Sequence, residues 1–265
     1  ESICKIWNYS LFQFMFNIVN YFTCNLDKLL IGNALGMKQL GFYEKSYRLM
    51  MLPLQNITFV LTPVMHPILS DLQNDKLQLS LAHERIAKTL ALIGFPLSAL
   101  LYFCAPELVL LFFGDQWIAS IPIFRILSLT IGVQLVLSSS GSIYQAGGDT
   151  RGMFICGLFS SLVTTICIII GIYHFKTLEA TAWCIVISFI LSFIQCYMQM
   201  YINTLHRSIK HFYQILLLPI LLTTLVFITN YCLSLSIVNW PLLITLSIKC
   251  IITLIVCLFF IQISG

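Results

Sequence analysis

The sequence predicts an all-α integral membrane protein of about eight transmembrane helices. Three observations carry that expectation. Of the 265 residues, 59% are hydrophobic and 9% charged, where a typical soluble domain has about 25% charged residues. The mean hydropathy is +0.94. Apolar runs of about twenty residues or more recur along the chain, each long enough to cross a hydrocarbon core of about 30 Å as a helix. A transmembrane β-barrel needs short alternating segments instead.

A window of about 20 residues divides the chain into spans at 7–34, 44–69, 86–113, 118–146, 153–173, 178–203, 212–235 and 241–261. Residues 71–85 are the one sizeable charged loop, and 206–211 form a short basic link. Basic residues fall unevenly across these spans. Lys5, Lys76, Arg85, Lys88, Arg151, Arg207 and Lys210 lie on the side of the N-terminus, and Lys38, Lys45, Arg48 and Lys176 on the other, which predicts both ends in the cytoplasm. Trp117 and Trp240 sit at turns on the opposite side, as an interfacial aromatic belt would have them. The first residue is Glu1, with no Met-led charged segment before the first span and no cleavage site after it. The sequence therefore predicts no removable signal peptide and reads as part of something longer. Cys104, Cys156, Cys167, Cys184, Cys196 and Cys257 lie within apolar runs without a C-x-x-C pair, and read as packing residues rather than disulfides or metal ligands.

The first span carries a polar stripe. Ser10, Gln13, Asn17, Asn20, Cys24 and Asp27 follow alternating steps of three and four, so they share one helix face, which should look into protein or water while Phe16 looks into lipid. Asp27 and Lys28 follow, and the chain turns through Gly32, Gly36 and Gly41 before Glu44, Lys45 and Arg48. A charge at the centre of a spanning helix costs roughly 2.5 to 3.5 kcal/mol on a translocon scale, so each one is a functional candidate unless it snorkels.

The second span contains Pro53, Pro63 and Pro67. Interior prolines remove backbone hydrogen bonds and favour kinks, and transporters place such broken helices at moving parts. Arg48, Gln55, Thr62 and His66 share a face that is expected to meet the stripe of the first span. Uncharged seams recur at Thr130, Gln134, Ser138 and Gln145, at Ser188, Ser192, Gln195 and Gln199, and at Gly157, Ser161 and Thr164. They read first as helix contacts and second as cavity lining. Lys249, near the middle of the last span, must pair with another helix or snorkel. No G-x-S-x-G, H-E-x-x-H or Walker loop is present. The carboxylates Glu107, Asp115, Asp149 and Glu179 look isolated at span ends, so no enzyme and no cofactor is predicted.

The run Asn25-Leu-Asp-Lys-Leu-Leu-Ile-Gly32, then Leu35-Gly36, Leu40-Gly-Phe-Tyr43, and Pro53, Pro63 and Pro67, resembles the polysaccharide-transporter branch of the MOP superfamily, the Wzx-like flippases of O-antigen and exopolysaccharide units. Phe95-Pro96, Phe113-Gly-Asp-Gln-Trp117 with Ile126-Leu-Ser128, and Ala146-Gly-Gly-Asp149 extend the likeness over about 17–203. The resemblance implies two helical lobes around a central cavity. This chain would be the C-terminal one, with 1–205 a six-helix bundle and 206–265 two appended helices. It implies an undecaprenyl-diphosphate-linked oligosaccharide as cargo in the bacterial inner membrane, an N-terminal lobe absent from this chain, membrane lipid as surroundings, polymerase or export machinery as further partners, and no nucleic acid.

On that reading Lys28, Arg48, Arg125 and Lys249 are the cations offered to the diphosphate. Gln13, Asn17, Asn20, Asp27, Gln55 and His66 line the polar path or serve a coupling ion, proton or sodium. The alternative for the charged set is an internal ion-pair network that fixes helix register. The alternatives for the whole are MATE-type cation-coupled efflux, disfavoured by the excess of Lys and Arg; a glycosyltransferase or polymerase, disfavoured by the short loops; and a non-transporting remnant or scaffold lobe.

Overall fold

The computed structural model describes residues 2–73, 75–236 and 240–264; the side chains of 2–10, 22–24, 66, 261, 263 and 264 lie outside the described set. Among the described residues all regular structure is helical. The first two helices are long, α1 (Ser2–Leu35) and α2 (Met37–Asp71), and are separated by Gly36 at φ +91°, a left-handed backbone that suits glycine. Next come α3 (Lys76–Phe103) and α4 (Ala105–Phe113), and a 3₁₀ turn (Asp115–Ser120) leads into α5 (Ile121–Ser128), α6 (Ile131–Ser138) and α7 (Ser140–Ala146). The remaining helices are α8 (Thr150–Ile169), α9 (Leu178–Gln199), α10 (Lys210–Ser236) and α11 (Leu242–Ser264), and α8 and α9 each run on into a π-helical turn. Among the described residues six helices are long and apolar enough to cross a membrane, or seven if the bent pair 115–128 and 131–146 is one span. With α1 as a further long helix, this is an all-α, multi-pass membrane protein.

Three boundaries differ from the sequence reading, each for a physical reason. Residues 76–85, expected as loop, are helical. Asp75 caps α3, its carboxylate accepting from the Leu77 and Gln78 amides at 2.9 and 3.1 Å, so the helix starts at Lys76 and carries His83 and Glu84 into the core. The second span stays helical through all three prolines. The break falls in the fourth span, which bends by 48° between its halves. At that bend the hydroxyls of Ser128 and Thr130 each donate to the carbonyl three residues back at 2.7 Å, and those of Ser138, Ser139 and Ser140 do the same at 2.7 to 2.8 Å where α6 gives way to α7. Such local bonds compete with the i to i−4 ladder and loosen it without proline.

The core forms where small residues let helices close. At the α3–α6 crossing a Cβ on Gly94 would lie 3.1 Å from the Gly132 Cα, and one on Gly132 would overlap the Phe95 ring. α8 meets α1 through Gly157 and the Phe16 ring, so Phe16 faces protein rather than lipid. Trp117 does more than mark an interface: it packs on Gly41 and edge-on to Phe42, with Lys45 5.2 Å from its ring centroid. Residues 206–265 supply α10 and α11. Phe212 of α10 is fully buried in the cluster that holds Tyr197 and Tyr201, and α11 joins α10 where Asn230 donates to the Thr253 hydroxyl at 2.9 Å.

Candidate functional site

The polar residues of the spans gather in four places. The first is a cavity of about 510 Å³ enclosed by α1, α2, α6, α7, α8 and α9. Asn20, Gln55, Gln134, Ser138, Ser140 and Ser192 supply its polar wall, and Phe16, Met51, Leu54 and Phe189 its apolar one. Among the described residues no charged side chain lines it. Gln134 is held by the Thr130 hydroxyl at 2.7 Å, and the buried Ser192 hydroxyl has no protein partner. Such a wall suits a neutral, hydroxyl-rich guest.

The uncharged seams thus divide between two uses. Gln134, Ser138 and Ser192 face the cavity, while Thr164 donates to Ser188 at 3.3 Å and Gln199 to the Gly152 carbonyl at 2.8 Å, binding α8 to α9. Asn17, Asn20, Arg48, Gln55 and Thr62 are all exposed, so α1 and α2 present an open polar face whose inner edge, Asn20 and Gln55, is the cavity wall. Gln13 is half-buried and accepts from Gln145 at 3.3 Å. Ser10, Cys24 and His66 belong to these faces in sequence, but their side chains lie outside the described residues.

The second place is Asp27. It is 6% exposed, and its carboxylate accepts from the Tyr43 hydroxyl and from the Lys28 amide, both at 2.7 Å, which anchors the start of α2 to α1. Lys28 itself is half-buried.

The third place joins Arg125 and Lys249. Lys249, 4% exposed, donates to the Glu107 carboxylate and, at 2.8 Å, to the Phe103 carbonyl. It pairs rather than snorkels, and Glu107 is a buried partner rather than an isolated end group. Arg125 stands across the same pocket, its guanidinium 5.9 Å from the Tyr102 ring centroid. This pocket shares no lining residue with the cavity at Asn20 and Gln55.

The fourth place was not singled out from the sequence. His83, fully buried, packs against the rings of Tyr197 and Phe212, centroids 5.6 and 5.7 Å away, which stack on each other at 4.4 Å, and its two nitrogens lie 3.4 Å from the Ser139 and Tyr201 hydroxyls. Tyr201 donates to Glu84, which also meets His211 at 2.9 Å, and Arg207 donates to Ser80 at 3.1 Å. The signal available was Leu77, Leu79, Leu81 and Ala82 leading up to His83-Glu84 at the head of an apolar span, with Tyr197 and Tyr201 one turn apart.

Residues 1–122 match the model of a family described as a polysaccharide biosynthesis protein. TuaB, the teichuronic acid biosynthesis protein of Bacillus subtilis, is 28% identical over 142 residues, 54% of this chain and 29% of that protein. The lipopolysaccharide biosynthesis protein WzxC of Escherichia coli is 25% identical over 155 residues, 58% of this chain and 32% of its own. The first half of the chain is thus similar to polysaccharide biosynthesis proteins. A solved lipid II flippase, MurJ in an inward closed conformation, shares the fold at a TM-score of 0.75, 18% identical, over 95% of this chain and 52% of its own. The chain spans about a third of the length of the curated relatives it matches and about half of that solved structure.

Proposed function

We propose that this chain is the C-terminal lobe of a flippase that carries undecaprenyl-diphosphate-linked oligosaccharide units across the bacterial inner membrane. Residues 1–205 would be its six-helix bundle and 206–265 its two added helices, with both ends cytoplasmic. The observation that carries the reading is the uncharged cavity whose wall at Asn20 and Gln55 continues into the exposed polar face of α1 and α2. Sugars and a diphosphate cannot enter hydrocarbon unaided, and a polar route lowers that barrier. Rocking against a second lobe would open the route to each leaflet in turn. Sugar hydroxyls suit the amide and hydroxyl wall, and Lys28 and Arg48 are the cations we offer to the diphosphate. Arg125 and Lys249 belong to the separate pocket. Asp27 and His66 are the groups offered to a coupling proton or sodium ion, and polymerase or export machinery would take the product.

The names of the matched relatives, which place them in teichuronic acid, lipopolysaccharide and succinoglycan biosynthesis, support a glycan cargo. MATE-type efflux of cations has less support, because the cavity lining includes no carboxylate. In cells carrying the native protein, Arg48→Ala should abolish surface glycan while the protein remains in the membrane. Normal glycan would remove Arg48 from the site. Deleting the gene should make lipid-linked oligosaccharide accumulate in the inner leaflet, and its failure to do so would leave a scaffold or remnant lobe.

A further inference from the structure

Between the end of α3, the helices α4 and α5, and the appended α10 and α11 lies a second cavity of about 510 Å³. Its charges do not balance. Lys249 and Glu107 neutralise each other, and Arg125 is left as the charge among the lining residues without a carboxylate. Two polar atoms are also left over. Arg125 Nε, a donor, and Glu107 Oε2, an acceptor, are buried and have no hydrogen-bond partner. Both side chains line the cavity, and Glu107 is 8% exposed. Buried polar atoms are normally satisfied, so an orphaned donor and an orphaned acceptor on two residues of one cavity wall indicate what is missing. A guest that answers both carries one negative charge for Arg125 and one hydroxyl that can donate to Glu107. The rest of the wall is Tyr102, Phe103, Phe227 and Tyr231, with the Ser234 hydroxyl at the side, which suits the carbon skeleton of a small polar headgroup.

We propose that this cavity binds the headgroup of an anionic phospholipid that carries a headgroup hydroxyl, that is, a glycerophosphate diester. The phosphate sits on the Arg125 guanidinium, the geometry in which arginine is most selective, and a glycerol hydroxyl donates to Glu107 Oε2. A single negative charge brings the cluster of Arg125, Lys249 and Glu107 to neutrality, which matters most where the dielectric is low. A choline headgroup offers Glu107 no donor, and a phosphomonoester lipid offers no glycerol hydroxyl. The lipid is a resident ligand that joins the appended helix pair to the lobe and is not the cargo, so the proposal stands or falls separately from the transport reading.

The test is retention. The full-length protein is released from vesicles containing equal parts phosphatidylglycerol, phosphatidylethanolamine and phosphatidylcholine, and the lipids that stay bound are weighed by native mass spectrometry. One phosphatidylglycerol should persist, enriched about tenfold over each of the others, and Arg125→Gln should remove the enrichment while Arg125→Lys keeps part of it. Equal retention of the three lipids, or unchanged enrichment in Arg125→Gln, overturns the proposal. If Arg125→Gln does not fold, competition on the native protein decides. Phosphatidylmethanol, with the same charge and no headgroup hydroxyl, should displace phosphatidylglycerol only at a several-fold higher concentration, and equal potency overturns the role of Glu107. Displacement by undecaprenyl phosphate at lower concentration than by phosphatidylglycerol itself assigns the site to the polyprenyl carrier and overturns the phospholipid reading.

Discussion

Replacing Lys249 by Met would remove the cation that faces Glu107 and keep much of the volume of the side chain. Glu107 is 8% exposed, and its second carboxylate oxygen is already without a partner. The variant therefore leaves a buried carboxylate with no compensating charge, and also frees the Phe103 carbonyl that Lys249 now occupies at 2.8 Å. Removing one member of a buried pair costs about 3 to 5 kcal/mol, whereas replacing both with apolar residues of similar volume is nearly neutral. For a chain of this size the single variant should lower the melting temperature by roughly 6 to 20 °C. The double variant Lys249→Met, Glu107→Leu should recover most of that loss. The assay is thermal unfolding in one detergent at fixed lipid content, followed by tryptophan fluorescence, on the native protein, both singles and the double. Equal losses in the singles and the double would mean that packing of α11 on α4, and not the charge pair, holds this contact.

Three further outcomes follow from the geometry. Tyr43→Phe deletes the hydroxyl that donates to the buried Asp27 at 2.7 Å and should destabilise the protein by about 1.5 to 3 kcal/mol, read from the same melts; a loss below a few tenths would mean that water replaces the hydroxyl. Gly132→Ala forces a methyl into the Phe95 ring and should cost about 1 to 3 kcal/mol, whereas Gly141→Ala, with open space around its Cβ position, should be close to neutral; the reverse order would contradict the α3–α6 contact. Single cysteines at the exposed Asn17 and Gln55 should react with a polar maleimide in membranes, while one at the fully buried Leu135 stays inert, and equal labelling at all three would refute the burial pattern.

Much of the helical layout is legible in the sequence because it rests on local quantities. Apolar run length marks the spans, Gly36 marks the turn between the first two, and the steps of three and four place Gln13, Asn17, Asn20 and Asp27 along one side of α1. What escapes is set by partners far away in the chain. Lys249 looks isolated because Glu107 lies 142 residues before it. His83 and Glu84 read as loop residues because Tyr201 and His211, which absorb their polarity, come more than a hundred residues later. The position of the helix break was written locally, in the hydroxyls of Ser128 and Thr130, but prolines are the louder signal and drew the expectation to α2. Of the residues offered for the cavity, Asn20 and Gln55 line it. Arg125 and Lys249 line the separate pocket, because helical periodicity assigns a face and not the neighbour that covers it.

The hydroxyl run has a consequence for how the cavity behaves. A proline lacks its backbone donor permanently, but the one-residue interruption between α6 and α7 at Ser139, where Ser138, Ser139 and Ser140 donate three residues back, is open to exchange between two acceptable sets of hydrogen bonds, so switching between them carries little net cost. Leu137, Ser138, Ser140, Gly141 and Tyr144 of this segment are also part of the cavity wall. The helical state of residues 137–144 and the shape of the space they enclose are therefore one variable. A guest that fits the straightened wall better would lengthen the helix simply by binding.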